Sequence, residues 1–353
     1  MLLHIVERLE GLVGKLPEGI RRPILSELTP LKELFLQQRP PRFLFVGSGK
    51  LPMPEIVRGL FATGGEEEIS VAVTPVHRWA EWKIHDHGTI SVLDAREADD
   101  SAADDIREEL KRRPPDLVFV VQDDSGRMTA SGLDEIVSRG VKLVGISVGP
   151  EKQAAKTPKA LQAGGEIRDR CLKVIRLGKT DSGEPSALMS LLTEELPNEA
   201  KIEMIRISRD REAQLHVSQI LVKSTTAICT AIGAQPIPLA DLPILTTLQL
   251  VMVSGIMYIS GRERSLRAAT EFVGALGANV GAGMVLREGT RALLKFFPGW
   301  GNVVCGMVAG AGTYAIGRAA TVYFLEGVSL KDARRTYLKS RKRQAQKALP
   351  ASK

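Results

Sequence analysis

The apolar positions of the first two hundred residues fall into short runs separated by helical spacing. Arg42-Phe-Leu-Phe-Val46 is one such run, closed by Gly-Ser-Gly, and its length and glycine stop predict a buried strand. Ile69–Thr74, Asp116–Val121, Lys142–Val148 and Leu172–Leu177 have the same character. Ala80–Ile84 and Thr89–Asp94 flank His-Asp-His-Gly, which predicts a hairpin. Helical patterns fit between the strands at Asp104–Arg113, Ser131–Ser138 and Pro185–Leu196. After an amphipathic opening, strands alternating with helices predict an α/β domain around a mostly parallel sheet.

Beyond Pro197 the pattern changes. No Gly or Pro occurs until Gly233, which predicts one long helix from about Glu199 to Ala234. Pro236-Ile-Pro238 ends it, and Asp241 is suited to cap the next helix, with Pro243 tolerated in the first turn.

Composition sharpens this division. Of 353 residues, 1–223 hold 67 charged side chains, whereas 224–330 hold 12 together with 15 of the 33 glycines. The net charge of +7 is local: residues 331–353 carry nine Lys/Arg against Asp332 alone, and the other 330 residues carry 39 bases and 40 acids. Four segments follow: 1–38 helical, 39–198 α/β, 199–330 helical and glycine-rich, and 331–353 a basic tail. A hydrophobic content of 44% with 25% charge excludes a disordered or collagenous chain. Cys171, Cys229 and Cys305 are too scattered for a disulfide framework or a closed zinc site and fit a reducing compartment. The opening MLLHIVERLEGLVGK lacks an apolar core of signal-peptide length.

Val174-Ile-Arg-Leu-Gly-Lys-Thr-Asp-Ser-Gly-Glu and the following Ser186–Pro197 carry a resemblance. Residues 42–196 resemble an Era-type, translation-factor-related GTPase domain, with this stretch at its last strand, guanine-contacting turn and final helix. Ile90–Asp94 resembles the strand before the switch motif, placing Asp94 at the magnesium-linked aspartate and Lys179 in the guanine-contacting turn. The resemblance implies a P-loop-type α/β fold with GTP and magnesium as ligands.

The nucleotide chemistry does not follow. A phosphate loop needs Gly, four residues, then Gly-Lys-Ser/Thr, because backbone N–H groups wrap the phosphates and the Lys reaches them. Counted from Gly47, those last positions hold Pro52, Met53 and Pro54; two prolines remove two donors and Met53 supplies no charge. Lys50 comes three residues too early. The switch glycine is replaced by Glu97, and Ser147-Val-Gly-Pro150 lacks the base-pairing carboxylate of Asn-Lys-x-Asp. A degenerate site at Gly47, Lys50, Met53, Asp94 and Lys179 therefore predicts a pseudo-GTPase with no bound cofactor; a GTP-binding switch with magnesium and an altered loop is the alternative. His85-Asp-His87 reads as a turn rather than a metal site, and no nucleophile motif is present.

In the second half, Leu242–Gly261 and Phe296–Gly317 are uncharged over twenty and twenty-two residues, lengths that suit either a membrane span or a fully buried bundle. Gly277-x-x-x-Gly281 and Gly306-x-x-x-Gly310 permit close helix approach. Ile237-Pro-Leu-Ala-Asp-Leu-Pro-Ile-Leu-Thr-Thr-Leu-Gln-Leu-Val-Met252 with Tyr258-Ile-Ser-Gly261 is similar to the YcjF-like helical domain. This bacterial domain of unknown function is often fused behind Era-type GTPases, and the resemblance implies association with the bacterial inner membrane, peripheral or integral. Asp241 and Gln249 are candidates for a polar contact or partner site, against a plain cap and a satisfied amide. In the tail, Arg334, Arg335, Arg341, Lys342 and Arg343 are candidates for anionic lipid, against a solvated, disordered segment. The folded part carries no aromatic-interleaved basic patch, which disfavours nucleic acid. The expectation is a non-catalytic scaffold with an unidentified protein partner at the cytoplasmic face of the membrane. A soluble, self-associating bundle is the further alternative.

Overall fold

The computed structural model describes residues 37–61, 69–71, 77–84, 88–99, 101–122, 140–148, 170–177, 184–234, 241–277 and 300–348, with isolated positions at 18, 21, 22 and 25. Contacts divide the chain into two units, Gln38–Asp210, and Arg211–Lys353 with Met1–Gln37.

The first unit is an α/β domain. Its strands are β1 (Arg42–Gly47), β2 (Ile69–Val71), β3 (Ala80–Ile84), β4 (Gly88–Asp94), β5 (Leu117–Gln122), β6 (Lys142–Val148) and β7 (Cys171–Leu177). Its helices are α1 (Met53–Phe61), α2 (Ala103–Arg112), α3 (Glu184–Glu195) and α4 (Asn198–Ser208). The strands form one sheet in the order β2-β3-β4-β1-β5-β6-β7. From β4 to β7 neighbours run parallel, whereas β2 and β3 are antiparallel additions at one edge. The expected hairpin is there, with Ile84 opposite Gly88.

Alternation along the central strands feeds two cores. Phe43, Phe45 and Phe119 face the side covered by α1, α3 and α4, and Phe45 stacks on Phe119 with centroids 4.8 Å apart. Leu44, Val46, Val118 and Val120 face the other side, with Ile106 and Leu110 of α2. Burial of each such side chain contributes about 1.5–3 kcal/mol. Exposed ion pairs such as Arg112–Glu108 contribute at most about 1 kcal/mol, so the two faces hold the unit together. Chain entry into β1 is fixed by Arg39, which donates to both carboxylate oxygens of Asp116 at 2.6 Å. Asp116 also accepts the Arg42 N–H at 2.8 Å. That carboxylate bond holds the Arg39 guanidinium pKa above its ordinary value.

The helix expected from 199 to 234 is two helices. α4 ends at Arg209, a non-glycine residue in the left-handed conformation at φ 52°, and the second unit starts at Arg211. Ser208 supplies the turn chemistry, its Oγ donating to the Ile205 carbonyl and accepting the Asp210 N–H. α4 belongs with the sheet: Ala200, Met204 and Ile207 join the Phe43–Phe45 core, and Glu203 accepts the Thr89 N–H at 3.0 Å. The division thus falls after 210 rather than after 198.

The second unit is helical: α5 (Arg211–Gly233), α6 (Asp241–Ile259), α7 (Leu266–Gly277), α8 (Trp300–Ala320), a π-turn (Thr321–Leu325) and α9 (Leu330–Ala348). α8 packs on α5, α6 and α9. Gly306 and Gly310 permit the α5 contact. A Cβ at Gly310 would lie 2.0 Å from Thr230 Oγ1, and one at Gly306 would lie 2.7 Å from the Thr230 carbonyl oxygen. Gly281 of the other glycine pair lies outside the described residues. The uncharged stretches expected as bundle or span are α6 and α8. Among the described residues no helix is long and apolar enough to cross a membrane. The basic segment after 330 is ordered as α9, opened by a reciprocal cap in which Ser329 Oγ donates to Asp332 Oδ2 at 2.6 Å and accepts the Asp332 N–H.

Candidate functional site

In the loop between β1 and α1 the N–H groups of Ser48, Gly49 and Lys50 are engaged within the protein. Gly47 has φ 104°, and a Cβ there would lie 2.1 Å from the Val121 carbonyl oxygen of β5, so only glycine fits. That carbonyl accepts the Ser48 N–H at 2.9 Å. The Gly49 N–H donates to Glu97 Oε1 at 3.0 Å, and the Lys50 N–H donates to Ser48 Oγ at 3.4 Å. Pro52 offers its carbonyl to the N–H groups of Glu55 and Ile56, starting α1 from a residue that has no N–H itself.

Met53 points away from this loop. With Ile56, Val57, Leu60 and Phe61 it forms the buried stripe of α1, at the three- and four-residue spacing of an amphipathic helix. Met53 is therefore a core residue.

Asp94 ends β4 and is engaged by Arg96. Arg96 Nε donates to Asp94 Oδ1 and Nη2 to Oδ2, both at 2.8 Å. Its Nη1 donates to the Leu51 carbonyl at 2.7 Å, clamping the loop to the end of β4. The Arg96 side chain is only 6% exposed. Ala95 N–H bonds the Phe45 carbonyl and Glu97 N–H bonds the Gly47 carbonyl, which holds Glu97, at φ 54°, over the loop. An arriving phosphate would meet this carboxylate, a like-charge contact costing about 1–4 kcal/mol at 4 Å between water and a protein surface.

Glu97 enters the sequence reading as an expected departure from the switch motif and Arg96 does not enter it; an arginine two residues after the strand-end aspartate is the available signal. Lys179 and His85-Asp-His87 lie outside the described residues. Among the described residues no cluster of His, Cys, Asp and Glu could hold a metal ion.

In the helical unit, Gln249 of α6 donates to Thr313 Oγ1 of α8 at 2.9 Å, and Thr313 donates to the Ala309 carbonyl at 2.9 Å. Cys229 of α5 neighbours Thr313, and burial pushes its thiol up to about 12, offset in part by its hydrogen bond with Thr313. Gln249 thus ties α6 to α8 through its amide N–H. α6 begins at Asp241.

The basic candidates all lie on α9. Arg335 donates to Asp332 Oδ1 at 3.4 Å. Arg343, with Arg318 of α8 and Lys339, lines a cleft of about 480 Å³ between the two helices. Arg318 and Lys339 are additions that a linear reading of the tail's charge does not bring together.

The fold and site define a two-unit protein, an α/β domain with a self-occupied loop and a helical unit with a basic terminal helix. No family model matches the chain. It is similar to magnetosome membrane protein 22 of Magnetospirillum gryphiswaldense, at 30% identity over 134 residues, which are 35% of this chain and 67% of that protein. The chain belongs, through this shared stretch, to the family of that protein.

Proposed function

We propose that this chain is a non-catalytic pseudo-GTPase, a scaffold or regulatory protein working at the inner face of a bacterial membrane. One observation carries the first part: the Gly49 amide is satisfied by Glu97, while Arg96 ties Asp94 to the Leu51 carbonyl. On this reading the Gly49 N–H is held by Glu97 and the Asp94 carboxylate by Arg96, in place of a nucleotide and its magnesium. The strand order and the parallel β4-β1-β5-β6-β7 core are compatible with descent from a GTPase-like α/β domain. The membrane part is supported by the name of the relative, a magnetosome membrane protein, and by the basic helix α9. With no described helix fit to span, the association proposed is peripheral, and α9 is the element that meets anionic lipid.

Calorimetric titration of GTP, GDP and ATP with magnesium into the full chain tests the first part. The expected outcome is no saturable binding up to millimolar nucleotide. Saturation in the micromolar range would establish a GTP-binding switch, with Lys50, Asp94 and Lys179 the first residues to substitute.

A further inference from the structure

We propose that the cleft between α8 and α9 is a binding site for a phosphate-bearing anion. Two helices build it. Tyr314 and Arg318 are one turn apart on α8, and Thr336, Lys339, Ser340 and Arg343 follow at three- and four-residue spacing on α9, so each set lies on one helical face.

The side of α9 turned toward α8 would ordinarily be apolar. Ala333 is fully buried, but the next turns of that helix present cations and hydroxyls to the cleft. Three positive charges converge there: Arg318, half-buried, and Lys339 and Arg343, which are exposed. Among the described residues no carboxylate lines the cleft. Among the described residues none of the three cations is paired with an acid. Asp332, the sole acid of the segment after 330, is used by Ser329 and Arg335. Like charges gathered in one concavity repel unless an anion joins them.

The donor set defines the anion's chemistry. Two guanidinium forks and an ammonium suit the several acceptor oxygens of a phosphate. Tyr314, Thr336 and Ser340 add hydroxyl donors for the remaining oxygens. A volume of about 480 Å³ accommodates a phosphate ester with its first substituents. The ester is either the headgroup of an anionic lipid or a soluble metabolite. The site deepens the membrane proposal without depending on it.

The test uses the full chain, the Arg318→Gln/Arg343→Gln variant and a charge-matched control, Lys111→Gln/Lys331→Gln, whose exposed side chains do not line the cleft. Gln is a good helix former, and circular dichroism checks that both variants fold. Two probes are titrated: phosphatidylglycerol vesicles, against phosphatidylcholine vesicles as blank, and soluble glycerol 3-phosphate. At least one probe is expected to bind the wild type, with affinity falling at least tenfold in the cleft variant and no more than about threefold in the control. Vesicle binding alone identifies a lipid headgroup. Glycerol phosphate binding without vesicle binding identifies a soluble ester, and would uphold the site while counting against the membrane proposal. Binding of neither probe, or equal losses in both variants, overturns the site. Equal losses with vesicle binding retained would leave membrane attachment standing as diffuse electrostatics.

Discussion

The Glu97 carboxylate accepts the amide N–H of Gly49 at 3.0 Å, joining two residues 48 apart in sequence. The Gly49 backbone donor is thereby held by the protein's own carboxylate. Pro52 and Pro54 flank the same turn without N–H groups, so displacing Glu97 frees one donor and not a cradle.

Glu97→Gln is therefore expected to leave nucleotide affinity undetectable and to lower stability by less than about 1 kcal/mol, since the bond is exposed. Gly47→Ala, two residues before Gly49, should cost several times more. Its φ of 104° and the Val121 carbonyl oxygen at 2.1 Å from a Cβ leave no room without moving β1 from β5. Urea denaturation of both variants, with and without magnesium GTP, measures the contrast. A nucleotide-dependent gain in midpoint for Glu97→Gln would show that Glu97 alone blocks the site.

Arg96 joins three groups, the two oxygens of Asp94 and the Leu51 carbonyl. Arg96→Ala strands them together, and with the Asp94 side chain 32% exposed the expected loss is about 2 kcal/mol, below the range for a fully buried pair. Arg96→Lys should recover only a part, because one ammonium cannot form the fork. A double-mutant cycle with Asp94→Asn should give a coupling of at least about 1 kcal/mol. Additive losses would mean that the clamp is not a unit.

Much of the α/β unit was legible because its signals are local. Each described strand fell on an apolar run, and the runs ended at the glycines and polar pairs that stop them. Two features were not. The break at Arg209 has no Gly or Pro to announce it, and only the Ser208 side-chain bonds reveal why a non-glycine residue turns there. The order of the tail depends on α9 packing against α8, a long-range contact that a run of Lys and Arg does not encode. At the site, the failure of the phosphate motif was visible in Pro52-Met53-Pro54. That Met53 serves the core, and that Arg96 and Glu97 engage the loop between β1 and α1, needed the packing of β1, β4 and α1.

The α5–α8 contact gives a rescue test. Gly310→Ala collides with Thr230 Oγ1 and should cost about 1–3 kcal/mol, the usual range for overpacking. Thr230→Ala removes that oxygen and leaves the nearest atom, Thr230 Cβ, at 3.3 Å, so the double variant should recover most of the loss. Gly306→Ala meets the Thr230 backbone carbonyl oxygen at 2.7 Å, which no side-chain change removes, and Thr230→Ala should not rescue it. Thermal denaturation of the wild type and the five variants decides; rescue of both glycine variants, or of neither, would contradict this helix packing.

Cys229 gives the helical unit an alkaline dependence of known sign. Its folded thiol titrates at about 12 against an ordinary value of 9.0, because it is buried. Below pH 9 both folded and unfolded states hold the proton and the group contributes no slope. Between about 9 and 12 the unfolded thiol is ionised and the folded one is not, so the unfolded state binds fewer protons and stability falls as pH rises, by about 1.4 kcal/mol per unit. Lysines and tyrosines titrate in the same window, so the quantity to measure is the difference in unfolding free energy between wild type and Cys229→Ala from pH 8 to 10.5. Wild type is expected to lose stability relative to the variant above pH 9, and native Cys229 to resist alkylation at pH 8. A constant difference across that range would place the thiol in contact with solvent.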